Sequence, residues 1–327
     1  MRDRTNRDSY RSARTKKATY GILSLMTVTS LWLFVLSSKA CRIPRLPQEL
    51  HLKVIDLIAV DLNDYGFGHP DLQSTLLSCM LVCHFWLSYA RQHLYRNIHI
   101  NASEQSRDLM RWRACVKYSS SRSISLTVKT VHISFFESTS SLSAFLVFQR
   151  LSNLRCLFLH RLDLKKEPIS LYKAIAHLVS LYYVDLHHLE ECTATELIRF
   201  INSFHSLSKL NISFHHNASR LKIGGHLPSL LNPHKLTLES LKIRPIPGIS
   251  TLLRWMVRTR SFVTRLKKLT IEFKNGKLTE SRYQGIDELI GHCGGHLEEL
   301  ILYPNWVTVS EEIHNLGKII LLYPHLH

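Results

Sequence analysis

A short apolar unit recurs seven times over residues 126–327 of this 327-residue chain. In each unit an apolar residue is followed by a second one three positions later and by a third one two positions after that. Successive first positions differ by 26, 27, 26, 31, 28 and 31 residues. These first positions are Val128, Leu154, Leu181, Leu207, Leu238, Leu266 and Leu297. Such a period is typical of solenoids, in which each unit buries its apolar face against its neighbours.

The spacing within each unit predicts a short strand, because side chains two residues apart point to one side of a strand. Helical stretches lie between the strands, at residues 141–149, 171–178, 196–204, 251–258 and 283–292. Strands that alternate with helices predict an α/β fold with a parallel sheet. We expect the second-position residues to stack in one buried column. From the second unit onward they are Leu157, Val184, Leu210, Leu241, Leu269 and Leu300.

This array resembles a leucine-rich-repeat domain, although a degenerate one. In that family a buried asparagine usually follows the strand, whereas other residues stand near its place here. They are Leu162, Leu189, His215 and Ile246. An unrelated α/β domain with periodic strands is the alternative interpretation.

Side chains that flank the buried positions point to the other side of each strand. The resemblance implies that this side is a concave face that holds a target protein, and its aromatic and charged groups suit such recognition. A solvated face without a partner is the alternative. The candidate target-binding residues are Phe158, His160, Asp185, His187, Lys242, Arg244, Glu272 and Tyr303.

A second pattern, over residues 46–100, predicts three helices. The first follows Pro47, since proline suits the first helical position. It carries an apolar stripe at Leu50, Val54, Leu57 and Ile58. Asp71 is the expected N-cap of the second helix. The third helix carries the apolar and aromatic residues Phe85, Trp86, Tyr89, Ala90 and Leu94.

These helices resemble an F-box in the style common in fungal proteins. The resemblance covers about 55 residues, and the loop at 61–70 is longer than is typical of the family. Its motifs are Leu46-Pro47-x-Glu49-Leu50, Leu72…Leu76-Leu77, Leu81-Val82-Cys83-His84-x-Trp86 and Ala90…His93-Leu94-Tyr95…Ile98. An unrelated three-helix bundle is the alternative.

The resemblance implies a non-enzymatic substrate-recognition adaptor of an SCF-type cullin-RING ubiquitin ligase. The F-box helices would dock on a Skp-family adaptor, and the repeats would hold a target protein in the cytoplasm or nucleus. No cofactor is implied. The candidate adaptor-binding residues are Leu46, Pro47, Leu50, Val54, Leu57, Leu76, Leu77, Val82 and Trp86.

The chain carries no motif of a known catalytic site, such as a nucleophile elbow, a phosphate-binding loop or a zinc-protease helix. Its seven cysteines have no regular spacing, which favours reduced core thiols. Two clusters contain potential metal ligands, but neither has the second pair that a structural zinc site requires. They are Cys79, Cys83 and His84, and His292, Cys293 and His296. The sequence therefore predicts neither an enzyme nor a metal site.

The N-terminal segment leads to a competing interpretation. Residues 1–17 form a basic tail that we expect to be disordered. Residues 18–38 contain no charged side chain, and this uncharged segment is long enough for a transmembrane helix. A membrane-anchored or luminal repeat protein is therefore the alternative function. An extension without a membrane role and a cleaved signal are two further interpretations of residues 18–38. The net charge of +17 also permits nucleic-acid contact, but no nucleic-acid-binding motif is present.

Two other segments complete the predicted organisation. Residues 101–125 lose the apolar periodicity and are expected to be a linker between the helical domain and the repeats. At the other end, residues 319–322 are all apolar, although solenoid ends usually carry a polar cap. We therefore expect an exposed apolar C-terminal end, or a natural chain that its gene model cuts short.

Overall fold

The computed structural model describes residues 47–64, 70–102, 126–135, 148, 151–165, 169–190, 192–215, 221, 237–258, 264–272, 280–293 and 295–303. The chain forms two compact units, which divide between Leu94 and Tyr95. We call them the helical unit and the sheet unit. The predictions for residues 1–17 and 18–38, for most of the linker and for the C-terminal end lie outside the described residues. Within the described part, no helix has the length and apolar character needed to cross a bilayer.

The helical unit contains the three helices that the sequence predicts: α1 (Gln48–Asp64), α2 (Pro70–Met80) and α3 (His84–Arg96). The first helix follows Pro47 as predicted, whereas the start of the second helix differs from the prediction. Pro47 precedes α1, and its carbonyl accepts hydrogen bonds from the backbone amides of Leu50 and His51, at 3.0 and 3.4 Å. Asp71 lies inside α2 rather than at its N-cap, because the helix already begins at Pro70.

A small apolar core joins these helices, and polar contacts tie α1 to α3. The indole of Trp86 donates to Nδ1 of His51 at 2.7 Å. Asp56 accepts a hydrogen bond from the Tyr89 hydroxyl at 2.9 Å and lies 3.0 Å from Nε2 of His93. The fully or largely buried residues of this core are Ile55, Leu76, Cys79 and Ala90.

The sheet unit is an α/β fold built on one open sheet of eight parallel strands in sequence order. The strands are β1 (Asn97–Asn101), β2 (Thr130–Ser134), β3 (Cys156–His160), β4 (Tyr183–Leu189), β5 (Lys209–Phe214), β6 (Ser240–Ile243), β7 (Lys268–Glu272) and β8 (Glu299–Tyr303). The helices are α4 (Ile169–Ala176), α5 (Ala194–Asn202), α6 (Ser250–Arg258) and α7 (Glu280–Cys293). This architecture confirms the predicted α/β class with parallel strands and is compatible with a solenoid. The helix predicted at 141–149 lies almost entirely outside the described residues.

The predicted column of second-position side chains is confirmed. Each strand from β3 to β7 places its member directly beside that of the next strand. Five of the six side chains are at most 1% exposed, and the sixth, Leu300, is partly buried against the same core. The first-position residues are buried as well. The apolar spacing therefore reports directly which side of each strand faces the core.

The backbone repeats with the same period. The carbonyl of the residue that precedes β4, Tyr182, accepts hydrogen bonds from two consecutive amides of the next unit, Ser208 and Lys209, at 2.9 and 2.8 Å. The same two-amide arrangement occurs at the carbonyls of Lys129, Arg155, Ser208, Glu239 and Lys267. The same pair of backbone hydrogen bonds therefore forms at the start of each strand from β3 to β8. This repeated pairing fixes the register from β2 to β8.

The sheet begins one strand earlier than the sequence analysis placed it. The predicted helical domain includes residues 97–100 and the predicted linker begins at residue 101, whereas Asn97–Asn101 forms β1 and pairs with β2. Tyr95, Ile98 and Ile100 have the spacing of the repeated unit, and all three contact the core of the sheet unit. This signal was assigned to the end of the F-box motif instead.

Apolar residues replace the expected buried asparagine. Leu162, Leu189 and Ile246 are buried in the core of the sheet unit. A side-chain amide at these places would need hydrogen-bond partners, whereas a leucine or isoleucine only needs to be packed. The degeneracy of the motif thus leaves the strands parallel and in register.

Candidate functional site

The helical unit exposes an apolar stripe on α1. Leu50, Val54 and Leu57 are four and three residues apart and therefore lie on one face of the helix. All three are exposed, and Leu57 is 68% exposed. Ile55 and Ala59 face the core instead. Pro47, at the start of this stripe, is also exposed.

A second group of exposed apolar residues lies on α2, on α3 and in the turn between them. Leu81, in the turn, is 80% exposed. Leu77, Val82 and Phe85 are also exposed. Contiguous patches of exposed apolar side chains usually mark an interaction surface, whereas single exposed ones need no explanation. We call the two groups together the apolar surface of the helical unit.

The structure places two of the candidate adaptor-binding residues in or against the core, and a third is not described. Leu76 is fully buried in the core of the helical unit and has no surface to offer a partner. Trp86 is partly buried against this core, with its ring edge-on to His51 at a centroid distance of 5.5 Å. Leu46 lies outside the described residues. Helical periodicity alone does not distinguish the core face of α2 from its exposed face, since Leu76 and Leu77 are adjacent and equally apolar.

In the sheet unit, the side opposite the core carries a stack of aromatic rings. His132 on β2 lies between His99 on β1 and Phe158 on β3, with both centroid distances at 4.0 Å and interplanar angles of 11° and 5°. Burial lowers the pKa of His132 to about 3, and the proximity of His99 adds to the shift. We call this side of the sheet the open face. His99 is not among the predicted site residues, because β1 is not among the predicted strands.

A depression of about 330 Å³ lies on the open face beside this stack. Four candidate target-binding residues line it: Phe158, His160, Asp185 and His187. Oδ2 of Asp185 accepts hydrogen bonds from Asn211 at 2.8 Å and from the Tyr183 hydroxyl at 3.2 Å. Burial raises the pKa of Asp185.

The other candidate target-binding residues lie on β6 to β8. Glu272 on β7 forms ion pairs with Lys242 and Arg244, both on or next to β6. Partial burial opposes the charge of Glu272, but hydrogen bonds from the two cations lower its pKa. Tyr303 on β8 is half exposed. The charges of Lys242, Arg244 and Glu272 are therefore paired with one another, and a partner would have to compete with these ion pairs.

The five cysteines in the described part are free thiols. Burial raises the pKa of Cys192 and of Cys293 to about 12, so these thiols are protonated and unreactive at neutral pH. No protein-family model matches the chain, and no curated protein matches it. Its function must therefore be inferred from the two surfaces described above.

Proposed function

We propose that this protein is a non-enzymatic substrate-recognition adaptor of an SCF-type ubiquitin ligase. Its helical unit would dock on a Skp-family adaptor and its sheet unit would hold a target protein. The resemblance of residues 46–100 to an F-box motivates the proposal. The observation that carries it is the apolar surface of the helical unit.

The energetics favour a protein partner for this surface. Burying one leucine or valine side chain contributes roughly 1.5–3 kcal/mol, and the surface offers seven apolar side chains of this size or larger. A unit of this length has a small core and gains further stability from a partner. The open face of the sheet unit, with aromatic rings beside charged groups, has the composition of a recognition surface for the target.

The proposed chemistry of ubiquitin transfer lies in the other ligase subunits. This chain would contribute proximity, because holding a target lysine near the charged conjugating enzyme raises its effective concentration. The repeats of the sheet unit suit that task, since a solenoid presents an extended surface on a rigid frame.

The test is co-expression of the full chain with a fungal Skp-family adaptor, followed by capture of the chain and quantification of bound adaptor. Leu50→Asp, alone and together with Pro47→Ala, places a charge in the proposed contact. We expect capture to fall at least tenfold, because an unpaired charge in an apolar interface costs several kcal/mol. Val179→Asp is the matched control, since Val179 is 63% exposed on the sheet unit.

The control variant should capture as much adaptor as wild type, and circular dichroism should show all variants folded. The proposal fails if the folded wild-type chain captures no adaptor. It also fails if Leu50→Asp captures as much as Val179→Asp.

A further inference from the structure

Three imidazoles meet where β3 and β4 end. One ring nitrogen from each of His160, His187 and His188 lies within 4.8 Å of those of the other two. The ring centroids are 5.2 Å apart for His160 and His187, 5.1 Å for His160 and His188, and 4.1 Å for His187 and His188. We propose that this three-histidine cluster is a binding site for a divalent transition-metal ion of the Zn²⁺ class. The inference does not depend on the proposed function.

The backbone brings these side chains together. Neighbouring residues of a regular strand point to opposite faces, which would separate His187 from His188. In β4, however, Leu186 pairs with Ile212 and Leu189 with Phe214, so two residues of β4 oppose the single residue Ser213. This is a bulge, which redirects a side chain.

The conformation of His188 completes the arrangement. Its φ of 56° lies in the left-handed region, which costs a residue with a Cβ atom roughly 1–2 kcal/mol. In the preceding unit Arg161, which follows His160 as His188 follows His187, has the same conformation with a φ of 59°. The backbone therefore takes the same conformation directly after β3 and near the end of β4.

Two ring nitrogens of the cluster lack a partner. Nδ1 of His160 and Nδ1 of His188 are inaccessible to solvent and have no hydrogen bond to any described residue. A buried polar atom without a partner costs roughly 1–3 kcal/mol, so native structures rarely retain one without a reason. A bound metal ion would supply the missing interaction, since imidazole nitrogens are its usual ligands.

Ser213 positions the third ring. Its hydroxyl lies 3.1 Å from Nδ1 of His187 and accepts a hydrogen bond from the backbone amide of His188 at 3.2 Å. A hydrogen bond at Nδ1 leaves Nε2 of His187 as the ligating atom, as in metal sites whose histidines are oriented by an outer group. Ser213 is thus a positioning residue for both histidines of β4.

The geometry is close to that of a loaded site. Tetrahedral coordination with Zn–N distances of about 2.0–2.1 Å places ligand nitrogens roughly 3.3 Å apart. The three ring nitrogens, which lie within 4.8 Å of one another, would therefore have to approach by about 1.5 Å at most. Three protein ligands leave one position for water or for a side chain of a partner. Among the described residues, no other group of His, Cys, Asp or Glu brings three potential ligand atoms as close.

Some charges around the cluster would attract a bound cation, and others would repel it. Asp185 lines the same depression as His160 and His187, and its carboxylate, when ionised, would attract a cation. Arg161 and Arg244, by contrast, carry positive charges that act on His160 and His188 respectively. These guanidinium groups repel a cation, so we expect weaker binding than at a three-histidine site without them.

The experiment is a calorimetric titration of the metal-free, full-length chain with ZnCl₂ at pH 7.5. Wild type should bind one equivalent of Zn²⁺. The affinity for this ion should fall more than about 100-fold in His160→Gln, His187→Gln or His188→Gln. Ser213→Ala should weaken it about 10–100-fold, the range for outer groups that orient a ligand. The matched controls His177→Gln and His205→Gln alter exposed histidines elsewhere in the sheet unit and should bind as wild type does.

A second measurement uses only the wild-type chain, in case a variant does not fold. Zinc X-ray absorption of the chain loaded with one equivalent should show three imidazole nitrogens in the coordination shell. The proposal is overturned if the shell is dominated by sulfur or holds fewer than two imidazoles. It is equally overturned if wild type binds no Zn²⁺, or if folded variants of the cluster bind as tightly as His177→Gln.

Discussion

At the scale of single residues, the open face carries histidines whose surroundings keep them neutral. His132 is the clearest case, because it is enclosed between two parallel rings. Its folded-state pKa of about 3 lies below the ordinary value of 6.5. In the unfolded chain the ring takes up a proton as the pH falls through 6.5, whereas in the folded chain it does not until much lower pH. The folded state therefore loses stability as the pH falls from about 6.5 towards 3.

This linkage predicts the effect of His132→Phe. Phenylalanine preserves the stack but does not titrate, so the variant should lose less stability than wild type between pH 7 and pH 4. A group protonated only in the unfolded state changes the free energy of unfolding by up to about 1.4 kcal/mol per pH unit. Because His132 is only partly buried, the difference in slope should be smaller than this limit.

The measurement is urea denaturation at several pH values with a chelator present, so that metal binding does not contribute. His177→Phe, at an exposed position, is the control and should leave the slope unchanged. A pH dependence that is identical in wild type and His132→Phe would show that this ring does not titrate as its burial implies.

Residue roles were the hardest to predict from sequence, for physical reasons. The alternation of side chains correctly places Phe158, His160, Asp185 and His187 together on the open face. It does not place His188 there, because strict alternation assigns His188 to the opposite side and only the bulge brings it back. Likewise, adjacent leucines such as Leu76 and Leu77 are equivalent in pattern but opposite in burial.

At the scale of elements, the strands were predictable because their apolar spacing encodes register. Moving a strand by one residue would exchange its buried and exposed sides, so the pattern permits a single pairing. The helices were predicted less sharply, since their ends depend on local contacts. In α5 the Thr193 hydroxyl accepts from the backbone amide of Glu196 at 3.2 Å, and the Glu196 carboxylate accepts from the amide of Thr193 at 2.7 Å. This capping box starts the helix two residues before the predicted 196–204.

The packing of the column predicts the effect of Leu210→Ala. Leu210 lies on the central strand β5, between Val184 and Leu241, and is 1% exposed. Removing its side chain leaves a cavity that two rigid neighbours cannot fill, so the free energy of unfolding should fall by about 2–5 kcal/mol.

Urea denaturation measures this loss, and Val179→Ala, at an exposed position, is the control. The control should change stability by less than about 0.5 kcal/mol. A loss below about 1 kcal/mol for Leu210→Ala would mean that the column is not a tightly packed core.

At the scale of the whole molecule, the two units have different means of stabilisation. The sheet unit contains one continuous core that extends from Ile100 to Leu297. The helical unit has a small core and a large apolar surface. The proposed function would use this difference, because a target-binding frame would have to be rigid on its own, whereas a docking module would gain stability from an adaptor.

The interpretation of residues 18–38 decides whether the two units are expected in the cytosol or in a lumen. A span with its N-terminus in the cytosol, or a cleaved signal, would place both units in a lumen, where ubiquitin ligases do not operate. The proposed function therefore predicts that deletion of residues 1–40 leaves adaptor capture unchanged, because none of the docking residues lies in that segment. Leu50→Asp in the shortened chain should abolish capture and serves as its control.

The compartment itself can be read from glycosylation in cells. Asn101, in an Asn-x-Ser sequence, is exposed on β1 at the edge of the sheet, whereas Asn211 lies within β5 and donates to Asp185. Asn101 is therefore the informative acceptor in the described part. We expect the full-length chain to show no shift in mobility on treatment with a glycosidase, and Asn101→Gln to migrate as wild type does. A glycosidase-sensitive form that disappears in Asn101→Gln would place the sheet unit in a lumen and reject the ligase proposal, while the metal site would stand unaffected.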